Sequence, residues 1–212
     1  MGQLAELFEV ELVKAGFGLL PRAGRLSLGS ASTYGLPAGV RSAIIDLHRG
    51  LGGVSDYSNF TSGKWDIATA DRLFIEFDEQ LHFNRYRQRT GQLPWTSVLP
   101  WTPAYARFNA DHEDACLKAG SYGGKWTSPS TEKMFGAGDP PGILGEYGSP
   151  RWKQRALYDA VKDAYALHTP GIALARVSLH DQIGGANVHQ ALKGAGLDPN
   201  ALHEFVAARS TR

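Results

Sequence analysis

Lys64-Trp65-Asp66-Ile67-Ala68-Thr69, Ala70-Asp71-Arg72 and Leu73-Phe74-Ile75-Glu76-Phe77-Asp78 form the most ordered stretch of the chain. β-Branched and aromatic residues flank a short polar break of hairpin length, which predicts two strands joined by a tight turn. With the turn at Ala70-Asp71-Arg72, Thr69 pairs with Leu73, and counting outward sets Asp66 opposite Glu76. Side chains directly opposed in an antiparallel pair have Cβ atoms about 4.5 to 5.5 Å apart. Asp78, two residues beyond Glu76, shares that face because strand side chains alternate. Three carboxylates are therefore expected to converge.

Like charges opposed on a sheet cost on the order of 0.2 to 1 kcal/mol, so the arrangement asks for a cation. A hard ion such as Mg2+, or Mn2+ in its place, binds through one or two carboxylates and keeps waters for a phosphate. It can activate one of those waters and neutralise charge that builds on phosphate oxygens. The plain alternative is a solvated hairpin, because charged residues usually sit outside.

Outward from the hairpin, Leu4, Leu7, Phe8 and Leu12 form the apolar stripe of a helix ending near Ala15-Gly16, with Glu6 and Glu9 off the stripe. Residues 19–39 are rich in Gly, Ser and Pro and read as loop, and Val40 to Arg49 as a short helix or strand. Glu79 to Thr90 reads as a helix or a basic, aromatic-laced connector, in which Arg85, Arg87 and Arg89 could grip phosphates. Its plain alternative is a solvated face whose arginine stems cover apolar surface. Residues 93–150 hold Trp95, Trp101, Trp126 and most of the prolines, and read as a loop-rich insertion with one helix at about 104–119. Leu157, Val161, Ala164 and Leu167 mark a further helix, Pro170-Gly171 stops it, and residues 172–179 form a strand, a βαβ-like return. Asp198-Pro199 starts a last helix.

The 212 residues are 42 % hydrophobic and 20 % charged, a globular composition, read as one domain with an insertion. A net charge of +1 leaves any nucleic-acid affinity to local patches. No apolar run reaches the roughly 18 residues of a membrane span, and residues 1–12 carry three glutamates where a signal peptide carries positive charge; a cytoplasmic protein with no membrane partner is expected. One cysteine, Cys116, excludes an internal disulfide and reads as a buried structural thiol. Asp111-His112-Glu113-Asp114 reads as a solvated face, because neighbours on a helix point about 100° apart. Arg176 and His180, at the end of the later strand, are expected to share a face toward the hairpin. Neither a phosphate-cradling GxxxxGK[ST] nor a dinucleotide GxGxxG motif is present.

Asp66, about ten residues, then Ile75-Glu76-Phe77-Asp78 and His82 resembles the PD-(D/E)XK nuclease superfamily, in particular the branch related to very-short-patch repair endonucleases. The resemblance extends loosely over Arg151 to Asp181. It implies an α/β, restriction-endonuclease-like fold, a mixed β-sheet flanked by helices. It implies that Asp66 and Glu76 ligate the metal, that the Phe77 carbonyl completes the site, that Glu6 or Glu9 joins from the first helix, and that His82 sits near the scissile phosphate. Asp78 stands where the family carries lysine, a role that Lys64, Lys153, Gln154 or Arg155 could take over. The expectation is a metal-dependent endonuclease acting on nucleic acid, DNA above all, in restriction, repair or defence, as a homodimer or within a larger complex. Asp66, Glu76, Asp78 and His82 would be its catalytic set, and Arg85, Arg87, Arg89, Lys64, Lys153 and Arg155 its nucleic-acid contacts. The alternatives are a catalytically inactive nuclease-like module that binds nucleic acid or protein, or a functional surface on the tryptophan-rich insertion.

Overall fold

A computed structural model describes residues 2–212. It is mixed α/β and contains, in chain order, α1 (Gln3–Lys14), α2 (Arg22–Ser27), β1 (Ser30–Ser32), α3 (Ala38–Gly50), β2 (Thr61–Lys64), β3 (Ile67–Ala68), β4 (Leu73–Asp78), α4 (Arg85–Thr90), α5 (Thr102–Asp111), α6 (Glu113–Gly120), α7 (Pro129–Phe135), α8 (Pro150–His168), β5 (Ala173–Ser178), β6 (Gln182–Ile183), β7 (Ala186–Asn187), α9 (Val188–Lys193) and α10 (Pro199–Ala208). Among the described residues no helix is long and apolar enough to cross a membrane. The chain divides into two compact units, one made of residues 2–30, Gly63–Glu79 and Thr169–Arg212, the other of Ala31–Ser62 and Gln80–His168. The division does not follow the expected 93–150 boundary: the second unit also takes in 31–62, 80–92 and all of α8.

The first unit is built on the three-stranded sheet β3-β4-β5. β3 and β4 are antiparallel with Ile67 opposite Ile75, and β4 and β5 are parallel with Glu76 beside Arg176 and Asp78 beside Ser178. The turn is the three-residue one read from the sequence, closed by the Thr69 N–H on the Leu73 carbonyl at 3.0 Å. Arg72 there takes φ of 63°, the left-handed conformation that three-residue hairpin loops place at their last position. Alternation then sorts β4. Leu73, Ile75 and Phe77 enter one core with Ala5, Phe8 and Leu12 of α1 and Leu202 and Val206 of α10, where Phe8 stacks on Phe77 at 4.6 Å. Phe74, Glu76 and Asp78 take the opposite face, and Trp65 stacks on Phe74 at 4.3 Å. α10 starts as its cap requires: the Asp198 carboxylate accepts from the Ala201 N–H at 2.7 Å and Pro199 occupies the first turn. The Gly184-Gly185 pair, at φ of 58° and 82°, makes the tight turn between β6 and β7.

The second unit is helical. α8 is buried along 13 of its 19 residues, on more than one side, because α3, α4 and α7 all pack on it. Asn84 caps α4, its side-chain oxygen accepting from the N–H groups of Tyr86 and Arg87. The single helix expected at 104–119 is two, α5 and α6, broken at His112 with φ of −122°. Residues 19–39, expected to be loop, contain α2, β1 and the start of α3.

Candidate functional site

In the first unit the β3–β4 register brings Asp66 and Glu76 together. The Asp66 N–H donates to Glu76 Oε1 at 3.1 Å, and Asp66 Oδ2 accepts from the Phe77 N–H at 3.3 Å. Glu76 is buried and Asp66 half-buried, so the pair lies at the edge of the sheet with one carboxylate reachable from outside.

A third carboxylate arrives indirectly. Arg25 of α2, buried, donates through Nη1 to the Asp66 carbonyl at 2.7 Å and to Glu9 Oε1 at 2.7 Å, and through Nη2 to Glu9 Oε2 at 3.3 Å. Glu9 is thus tied to the hairpin by a guanidinium fork that also fixes the backbone of Asp66. Glu6, the other glutamate considered, is exposed. Arg22, Arg25, Lys64, Trp65 and Asp66 line a recess of about 170 Å³ beside the acids. Lys64 Nζ also donates to the Leu26 carbonyl at 3.3 Å. Arg22 and Arg25 lie in the Gly-, Ser- and Pro-rich stretch whose composition predicts loop and so gives no sign of a site. The available signal was Pro21, which fixes φ for a helix entry before Arg22-Ala23-Gly24-Arg25.

Asp78 has a different setting from the one expected of it. Although it shares a face with Glu76, Arg176 Nη1 donates to Asp78 Oδ2 at 2.9 Å and Oδ1 at 3.1 Å, and both residues are fully buried. The position where a lysine was expected therefore holds an anion matched by its own cation from β5. Arg176 does face the hairpin, as its place on β5 suggested.

The remaining candidates lie in the second unit, where each meets other residues of that unit. The His82 ring Nδ1 lies 3.0 Å from Asp159 Oδ2 on α8. Arg87, read as a phosphate contact, is buried: its guanidinium reaches Asp163 at 3.3 Å, Thr90 Oγ1 at 3.0 Å and Asp159 at 3.7 Å. Burial takes it out of any surface patch. Arg85 forks onto Glu113 with two bonds of 2.9 Å, an arrangement that raises the arginine's pKa and lowers the glutamate's. That bond makes Glu113 a partner where the acidic run read as merely solvated. Arg89 donates to the Gly50 carbonyl at 2.6 Å and Arg155 to the Leu81 carbonyl at 3.0 Å. Lys153 is buried with its ammonium over the rings of Tyr86 and Phe135; burial and nearby Arg89 lower its pKa. Cys116 is buried, and burial pushes its thiol up to about 12.

The donor set of the first unit suits a hard divalent ion. Asp66 and Glu76 are hard oxygen donors held against one another by the bond from the Asp66 N–H to Glu76 Oε1, and the recess that Asp66 helps to line carries the cations Arg22, Arg25 and Lys64. No curated protein and no solved structure matches the chain. The family model that does match runs over residues 46–194, which include Asp66, Glu76, Asp78, His82, Asp159 and Arg176 but not Glu9 or Arg25. Since that match spans more than half of its length, the chain belongs to DUF7255, a family of unknown function.

Proposed function

We propose that this protein is a divalent-metal-dependent phosphodiesterase acting on nucleic acid, with Asp66 and Glu76 as the carboxylates that hold the ion. The observation that carries the reading is the hairpin register, Ile67 opposite Ile75, which sets Asp66 against Glu76. An antiparallel β3–β4 pair joined in parallel to β5, with α1 packed on the sheet, is compatible with a restriction-endonuclease-like core. An ion bound there would supply water activation and neutralise charge on the phosphate. Around it Arg25 would hold Asp66 and Glu9 in place, while Lys64 and Arg22 would draw in the phosphodiester. Lys64 takes the part of the lysine that Asp78 displaces.

A second reading, a nuclease-like module that binds without cutting, rests on the same Asp78–Arg176 pair, since it removes the usual lysine. One experiment separates them. Plasmid, linear and single-stranded DNA are incubated with the protein in Mg2+, in Mn2+ and in chelator, alongside Asp66→Ala and Glu76→Gln. The enzyme reading expects cutting that needs metal and disappears in both variants. Equal cutting by all three proteins overturns the assignment of these residues. No cutting, with DNA binding that survives chelator and weakens steeply with salt, establishes the binding module instead.

A further inference from the structure

α1 has two apolar faces, and the chain covers only one of them. Ala5, Phe8 and Leu12 enter the core of the first unit, against the sheet and α10. On the other side Leu7, Val10 and Val13 stand 38 %, 51 % and 59 % exposed. At about 100° per residue Val10 points roughly 160° from both Phe8 and Leu12, with Leu7 and Val13 about 60° to either side of it. Single apolar residues scattered over a surface are ordinary, but three in line along one helix make a stripe. Gln3, Glu6 and Lys14 complete this outer face, all exposed. Among the described residues the Glu6 carboxylate has no partner. Lys14, its side chain 56 % exposed, spends one of its three ammonium hydrogens on Glu11 Oε1 at 2.7 Å and keeps the others. Glu9, about 100° round the helix from Val10, is held by Arg25 and stands apart from the stripe.

The order of these residues is its own complement. Reversing the helix about Val10 carries Leu7 onto the place of Val13 and Glu6 onto that of Lys14. A second α1 laid antiparallel on the first, with a twofold axis at Val10, therefore sets Val10 against Val10, Leu7 against Val13 and Glu6 against Lys14, the last two twice over by symmetry. An isologous contact requires a patch that matches itself in this way. The charges also fix the direction, because a parallel pair would oppose Glu6 to Glu6 and Lys14 to Lys14. Helices pack nearly antiparallel at an axial distance of about 8–10 Å, within reach of all these side chains.

We propose that α1 is a homodimerisation helix whose outer face pairs antiparallel with the same face of a second copy of this chain. One 12-residue helix from each copy makes a small contact, so the dimer belongs to the weak, exchanging class. Sedimentation velocity of the full chain at low salt, from micromolar to millimolar concentration, should show monomer passing into dimer. Val10→Glu places two like charges on the axis and should leave a monomer throughout. Glu6→Lys and Lys14→Glu each turn two attractive pairs into two repulsive ones, and each alone should weaken association roughly tenfold. Mixed in equal amounts, these two variants form a heterodimer in which both pairs attract again, and the mixture should regain the parent's affinity. Misfolded chains would not regain it, so the mixture keeps the test decisive even where a single variant is destabilised. A parent chain that stays monomeric at millimolar concentration, a dimer indifferent to Val10→Glu, or a mixture that associates no better than its components overturns the proposal. Because no measurement here requires metal or nucleic acid, the outcome is independent of the test on Asp66 and Glu76.

Discussion

Asp78→Asn separates a structural ion pair from a metal ligand. The variant keeps the shape of the side chain and removes its charge, leaving the fully buried Arg176 guanidinium without the carboxylate it bonds at 2.9 and 3.1 Å. Removing one member of a buried pair costs about 3–5 kcal/mol, because the remaining charge is shielded from solvent and loses a carboxylate contact. At about 2–4 °C per kcal/mol for a chain of this size, the transition involving the first unit should fall by roughly 6–20 °C. The double variant Asp78→Leu/Arg176→Met should recover most of that loss, because an apolar pair of similar volume avoids desolvating either charge. The assay is thermal unfolding by circular dichroism in chelator, repeated with Mg2+. Were Asp78 a metal ligand held beside Glu76, its neutralisation would relieve repulsion in the metal-free protein and raise the midpoint. An unchanged or raised midpoint in chelator would therefore refute the structural role argued for this pair.

His48 is buried with its Nε2 3.2 Å from the Met134 carbonyl, and burial, aided by Arg49, lowers its pKa from 6.5. The unfolded chain then takes up the proton first, so stability is full above about pH 6.5 and declines as pH falls below it; urea unfolding across pH 5 to 8 should show a slope that His48→Gln flattens. With its thiol pushed up to about 12, Cys116 should resist a thiol reagent at pH 8 in the native protein and react at once in denaturant; immediate native labelling would contradict its burial. Phe8→Ala should cost about 3–5 kcal/mol in denaturant unfolding, since Phe8 is fully buried and stacked on Phe77.

The hairpin and its acid pair were legible because they depend on local facts. A turn length and the alternation of strand side chains set Asp66 opposite Glu76 without reference to the rest of the chain. The cap at Asp198 was legible for the same reason. What the sequence hid were partners distant along it. Nothing near Asp78 signals Arg176, 98 residues on, so the third carboxylate looked like a ligand. Arg87 looked like surface because it stands among Arg85 and Arg89, yet Asp159 and Asp163 on α8 draw it inside. α2 was missed because six residues are too few to show a periodic stripe, and with it went Arg25, the link between Glu9 and Asp66.

The discontinuity of the first unit also sets a timetable for its synthesis. Residues 2–30 and Gly63–Glu79 leave the ribosome well before Thr169–Arg212, the segment that supplies β5 and α10. At roughly 5–20 residues per second, Asp78 waits about 5–20 s for Arg176. During that interval β4 has an open edge and Phe8, Ile75 and Phe77 lack the apolar residues that later cover them, a nascent state suited to chaperone capture. Synonymous codons that slow translation between residues 80 and 170 should lengthen this exposure and lower soluble yield without altering the finished protein.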